Sequence, residues 1–146
     1  MRPYQTMPVS DELAQAAFDG DTERVTELLD AGASINAAGR NWTPLHAAIE
    51  NEQFECVELL ISRGADIHEA SSDFPPLAHA VDIAIDGTRQ TGGSPGDEPI
   101  EIIQFLLEKG ANPLAGLKVA RDYHNEKLVK LLEAAANKDK PPREPE

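Results

Sequence analysis

Leu13, Leu45 and Leu77 stand 32 residues apart, and each opens a stretch that closes on a Gly-Ala pair. For the first two the pair, Gly32-Ala33 and Gly64-Ala65, comes 19 positions later. For the third, Gly110-Ala111 comes after 33 positions, so 14 extra residues lie inside that stretch. A period near 33 restricts the chain to a stack of small units, because a unit this short cannot bury its apolar face alone and must pack it on its neighbours. Such stacks mainly present a surface, so the sequence poses the question of what that surface binds.

Composition narrows the answer. Leu, Ala, Ile and Val supply most of the 40% apolar residues and only 5% are aromatic, which suits closely packed helical hairpins. Thirteen basic against twenty-six acidic residues give a net charge of −13. That charge disfavours nucleic acid and anionic membrane, whose phosphates it repels, and leaves a basic protein partner, or mere solubility, as the better reading. The first eight residues, Met1 to Pro8, contain no apolar run of the kind a secretory signal needs, and no segment reaches the roughly 18 apolar residues of a membrane span. The single cysteine, Cys56, cannot form an internal disulfide and falls among apolar helical positions. A cytoplasmic protein, monomeric when unbound, is therefore expected, and the sequon Asn41-Trp42-Thr43 is read as accidental.

Within the repeat frame, residues 1–9 read as a flexible lead-in and 135–146 as a polar, proline-rich tail. The units fall at about 10–42, 43–74, 75–114 and 115–134, with the insertion at 86–98. The first unit predicts helices at about Asp11–Asp19 and Thr22–Ala31, closed by Gly32 in the positive-φ conformation that glycine adopts without penalty. In the second, Thr43-Pro44-Leu45-His46-Ala47-Ala48 supplies an N-cap and then a proline at the first helical position, where its missing N–H is not needed.

This Thr-Pro-Leu-His signature resembles the ankyrin repeat, and the resemblance covers roughly residues 10–134. It implies an all-α ankyrin-repeat solenoid of about four helix-turn-helix units, in which His46 serves the hydrogen bonding of the loops between repeats. The third unit departs from the pattern: Pro75-Pro76-Leu77-Ala78-His79 places alanine where the histidine belongs. The last hairpin is trimmed, with seven residues from Gly110 to Leu117 against 13 in earlier units.

No catalytic, cofactor or metal site is expected. Paired cysteines and a His-Glu-x-x-His helix are absent, and the glycine-rich segment from Asp86 to Glu98 lacks the lysine of a phosphate loop. Acidic pairs such as Asp97-Glu98 read as solvated surface. Val81, Ile83, Ala84 and Ile85 continue apolar past the normal end of the first helix, so that helix is expected to extend and leave an apolar side near the binding surface.

The resemblance implies that partners bind at the hairpin tips and along the exposed, concave side of each first helix. On this chain the tips are Arg40, Asn41 and Trp42, then Asp73 and Phe74. The helix positions are Phe18 and Asp19, Glu50 and Asn51, Asp82 and Ile83, and Asp122 and Tyr123, with His79 added on the first helix of the third unit and Asp86 and Arg89 in the insertion. Aromatic residues inside a polar rim are the composition of binding hot spots; the alternative for Trp42 and Phe74 is that they pack the hairpins onto each other. The small stand-alone format and strong acidity are similar to ankyrin proteins encoded beside secreted bacterial toxins, which implies an immunity protein neutralising a toxin. The alternative is an adaptor or scaffold with several weaker partners.

Overall fold

The computed structural model describes residues 9–37, 43–68, 74–94 and 96–138. These residues form helices and no strand, and the chain divides into two compact units, residues 1–66 and 67–146.

The first unit holds α1 (Val9–Asp19), α2 (Thr22–Asp30), α3 (Pro44–Glu50) and α4 (Phe54–Ser62). Each pair is an antiparallel hairpin, and α1 stacks on α3 while α2 stacks on α4. Asp21 caps α2 by accepting from Arg24 N at 3.0 Å. Thr43 caps α3 by accepting from His46 N at 3.3 Å, and Pro44 occupies the first turn as expected. The Thr43 hydroxyl is also hydrogen-bonded to His46 Nδ1 at 2.7 Å, so the buried imidazole is fixed within the entry to its own helix. The core is a ladder of small and branched side chains, Leu13, Ala17 and Val25 below Leu45, Ala48, Val57 and Leu60, all essentially inaccessible.

Equivalent positions of these two hairpins are tied across the repeat. Asn51 Nδ2 donates to the Phe18 carbonyl at 2.8 Å, Arg63 pairs with Asp30 at 2.7 Å, and Asp66 N donates to Asn36 Oδ1 at 2.7 Å. At the α1–α2 turn Gly20 takes φ +76°, and a Cβ there would lie 2.4 Å from Gln53 Oε1 of the next hairpin. The positive φ calls for glycine at that point, while the end of the flexible Gln53 side chain can swing aside.

The second unit holds α5 (Pro76–Gln90), α6 (Glu101–Glu108), α7 (Leu114–Asp122) and α8 (Glu126–Lys138). α5 packs on α6 and α7, and α7 packs on α8, around Leu77, Val81, Ile103, Leu106, Leu117, Leu128 and Leu132. Gly116 lets α7 approach α5, since a Cβ there would meet Val81 Cγ2 at 2.9 Å.

The insertion begins as helix and continues as a non-helical connector. α5 has 15 residues where α3 has 7, which adds about two turns before a connector from Thr91 to Ile100 leads into α6. Three expectations change. Val81, Ala84 and Ile85 are buried and Ile83 is half-buried, so the extended helix turns its apolar side inward and leaves no open apolar strip. Second, α8 continues to Lys138, four residues into the segment assigned to the tail. The alanine run Ala134-Ala135-Ala136 and the packing of Leu128 and Leu132 beneath it carry the helix on. Third, α1 begins two residues earlier than expected, at Val9.

Candidate protein-binding surface

In the first unit the expected surface residues are where the repeat register puts them. Phe18 and Asp19 end α1, Glu50 and Asn51 end α3, and all four are exposed. The bond from Asn51 to the Phe18 carbonyl brings the two helix ends together. Arg40, Asn41, Trp42 and Asp73 lie outside the described residues.

In the second unit the candidates converge more closely. Tyr123, at the end of α7 and 36% exposed, donates its hydroxyl to Asp82 Oδ1 on α5 at 2.9 Å. Arg89 lies two turns further along α5, with its guanidinium carbon 5.7 Å from the centre of the Tyr123 ring. The bond to Asp82 holds the Tyr123 phenol above its ordinary range, with burial and the charges of Asp82 and Asp86 acting the same way and Arg89 opposing them. Tyr123 is thus a neutral, oriented aromatic in a field of carboxylates. Asp82 and Asp86 are half-buried, Asp122 is exposed and pairs with Lys118 at 2.7 Å, and Asp86 accepts from the Gln90 amide.

Beside these residues the extended α5, the connector and the α7–α8 turn form a half-open cavity of about 350 Å³, lined by Ile85, Thr88, Arg89, Gly93, Glu98, Asp122, Tyr123, His124 and Asn125. Glu98 is part of that lining, and the reading of Asp97-Glu98 as solvated surface is corrected for Glu98, which is 5% exposed. Its carboxylate accepts from Asn125 Nδ2 at 2.6 Å and from Gly96 N at 2.8 Å, while Lys127 Nζ donates to the Gly96 carbonyl. Asn125 in turn caps α8 through Leu128 N at 3.0 Å. The connector is thereby clamped to the turn between the last two helices, and a buried carboxylate is tolerated because it is hydrogen-bonded.

His79 is also corrected. It is 3% exposed and lies edge-on to Phe74, with ring centres 5.8 Å apart, so it belongs to the packing of the third hairpin and cannot meet a partner directly. Sequence reasoning missed Leu114, which is 59% exposed at the start of α7. A register signal was available. Leu114 stands three residues before Leu117, as Phe74 does before Leu77 and Trp42 before Leu45.

Charge is unevenly distributed along the chain. Residues 1–108 carry twenty acidic side chains against five arginines and no lysine, whereas 109–146 carry eight basic against six acidic. No helix among the described residues is long and apolar enough to cross a membrane. Cys56 is buried, and burial foremost, then Asp21 and Glu55, pushes its thiol up and keeps it protonated near neutral pH.

The family model for ankyrin repeats, in three copies, matches residues 13–116. The chain is 31% identical over 112 residues to the ankyrin repeat, SAM and basic leucine zipper domain-containing protein 1 of Loxodonta africana, an alignment covering 76% of this chain and 22% of that protein. It is 34% identical over 106 residues to the ankyrin repeat and KH domain-containing protein mask-1 of Caenorhabditis elegans, covering 73% of the chain and 4% of that protein. A shorter match, 45% over 58 residues, is to the 2-5A-dependent ribonuclease of Mus musculus, covering 38% of the chain and 8% of that enzyme. The chain therefore spans less than a quarter of the length of each of these relatives.

Proposed function

The chain belongs to the ankyrin-repeat family, whose repeats generally mediate protein–protein interaction without catalysis, and from that premise we propose that it binds one predominantly basic protein partner. The contact surface in this reading is the exposed side of the first helices together with the third-repeat insertion. The observation that carries it is the charge: a net −13, with twenty acidic side chains against five arginines over residues 1–108. Such a field raises the encounter rate with a basic surface and makes that rate fall with salt. Tyr123, held by Asp82 and flanked by Asp86 and Asp122, supplies an oriented aromatic anchor of the kind that dominates interface energies.

The finer proposal is a cytoplasmic, non-enzymatic immunity protein that neutralises a toxin with a basic cleft. Its support is the strong acidity and an insertion that adds a charged, structured element to one repeat. Capture of partners on the purified chain, followed by identification of the bound proteins, tests it. One recurrent basic protein with toxic activity is the expected result. Repeated captures that yield nothing basic and nothing toxic remove the immunity reading, and several weak partners identify a scaffold instead.

A further inference from the structure

The inserted segment brings a single cation into an acidic region: Arg89 is the only Lys or Arg between Arg63 and Lys109. Its surroundings differ from those of the other described arginines. Arg24 bonds to Glu12 and Glu27 at 3.4 and 3.3 Å, Arg63 to Asp30 at 2.7 Å, and Arg121 to Glu133 at 3.1 Å. Among the described residues Arg89 holds no carboxylate, although Asp82 and Asp86 share its helix. Asp82 instead accepts from Tyr123, and Asp86 accepts from Gln90. Arg89 lies over the Tyr123 ring with its guanidinium carbon 5.7 Å from the ring centre, and among the described residues its N–H groups donate to no carboxylate.

The adjoining cavity has the complementary bias. Both carboxylates in its lining are engaged, Glu98 by Asn125 Nδ2 and Gly96 N, and Asp122 by Lys118. The cavity's acceptors are occupied while its guanidinium fork is open. We infer that Arg89 and the cavity beside it form a recognition site for a carboxylate side chain of the protein partner, taken bidentately by the guanidinium. This rests on the reading that the chain binds a protein.

The surrounding acidity shapes what the site accepts. Asp82 and Asp86 weaken the hold on an isolated anion such as acetate without abolishing it, and a partner carboxylate docks most tightly where the rest of the partner surface is basic and offsets them. The site acts as a register key: it rejects partners that are uniformly basic at this point, where a cation would face Arg89. Lysine cannot replace Arg89, because a point charge lacks the planar fork.

The test on the full chain is nuclear magnetic resonance of the arginine Nε–Hε groups during titration with sodium acetate, ionic strength being held with sodium chloride. Acetate shifts the Arg89 signal along a saturating curve and leaves Arg24, Arg63 and Arg121 unmoved, because their forks already hold carboxylates. Acetamide, neutral and of the same shape, shifts none of them. No acetate response at Arg89, or the same response at all four arginines, overturns the inference. With a captured partner, Arg89→Lys lowers affinity about tenfold. A variant that binds as tightly as the parent also overturns the inference. Failure to capture any protein counts against the proposed function alone, since the acetate response is measured without a partner.

Discussion

Replacing Glu98 by alanine tests whether the insertion is a structured part of the second unit. The side chain is 5% exposed and accepts at 2.6 Å from Asn125 Nδ2 and at 2.8 Å from Gly96 N. Truncation strands the Asn125 amide, which is itself 5% exposed and cannot be hydrated without opening the turn. Gly96 is partly exposed, so water replaces its lost acceptor at little cost. A buried donor left unsatisfied costs about 1–3 kcal/mol, and release of the buried carboxylate from its desolvation offsets part of the second bond, so the expected loss is about 2–3 kcal/mol. Glu98→Gln keeps the shape and the acceptor for Asn125 but turns an amide donor toward Gly96 N, for a loss of about 1 kcal/mol. Urea unfolding followed by circular dichroism gives the stability, and amide hydrogen exchange at Gly96, Asn125 and Leu128 locates it. Both variants within about 0.5 kcal/mol of the parent, with unchanged exchange at those amides, would refute the clamp.

Two glycines separate strain from crowding. Gly64→Ala, at φ +97° with open space around its Cβ, costs about 1 kcal/mol through conformation alone, while Gly116→Ala drives a methyl into Val81 and costs about 1–3 kcal/mol, both read from urea midpoints. A larger effect at Gly64 than at Gly116 contradicts the packing of α7 on α5. Cys56, buried and protonated, resists iodoacetamide at pH 8 in the folded chain and reacts at the rate of unfolding; stoichiometric labelling within minutes under native conditions shows the thiol is accessible. Tyr123 donates to Asp82 only while neutral, and its folded pKa is raised, so its contribution is fully present below the ordinary tyrosine pKa of about 10 and is lost as pH rises through the folded value. Thermal stability measured from pH 8 to 11 should fall more steeply in the parent than in Tyr123→Phe; parallel curves would show that the bond contributes nothing.

The parts of the fold that were legible in the sequence are those set by local chemistry. Thr43 and Pro44 announce the start of α3, and the repeated Gly32, Gly64 and Gly110 all adopt positive φ where their helices end. The 32-residue spacing of Leu13, Leu45 and Leu77 marked three buried positions correctly. The errors fall where burial depends on a distant element. Glu98 looks like solvated surface beside Asp97, and only the arrival of Asn125 from 27 residues away makes it a buried acceptor. His79 looks available because Ala78 has displaced the motif histidine, yet it is 3% exposed, a burial that comes from the packing of the hairpin and not from its place in the motif. The apolar run after Val81 was visible, but which way it faced depended on the register of α5 against α7. Of the candidate surface, Asp82, Arg89 and Tyr123 were named one by one; that they form one assembly required their placement in space.

Titration calorimetry of the captured partner against the parent and against Asp82→Asn/Tyr123→Leu, at two salt concentrations, addresses the claim that the second unit's acidic, aromatic surface makes the contact. The double variant removes the oriented ring, one of its charges and the platform under Arg89 while leaving the core helices intact. It should bind at least about tenfold more weakly, and the affinity of the parent should fall as salt rises. Unchanged affinity in the variant, with no dependence on salt, would contradict the claim and place the interaction elsewhere on the chain.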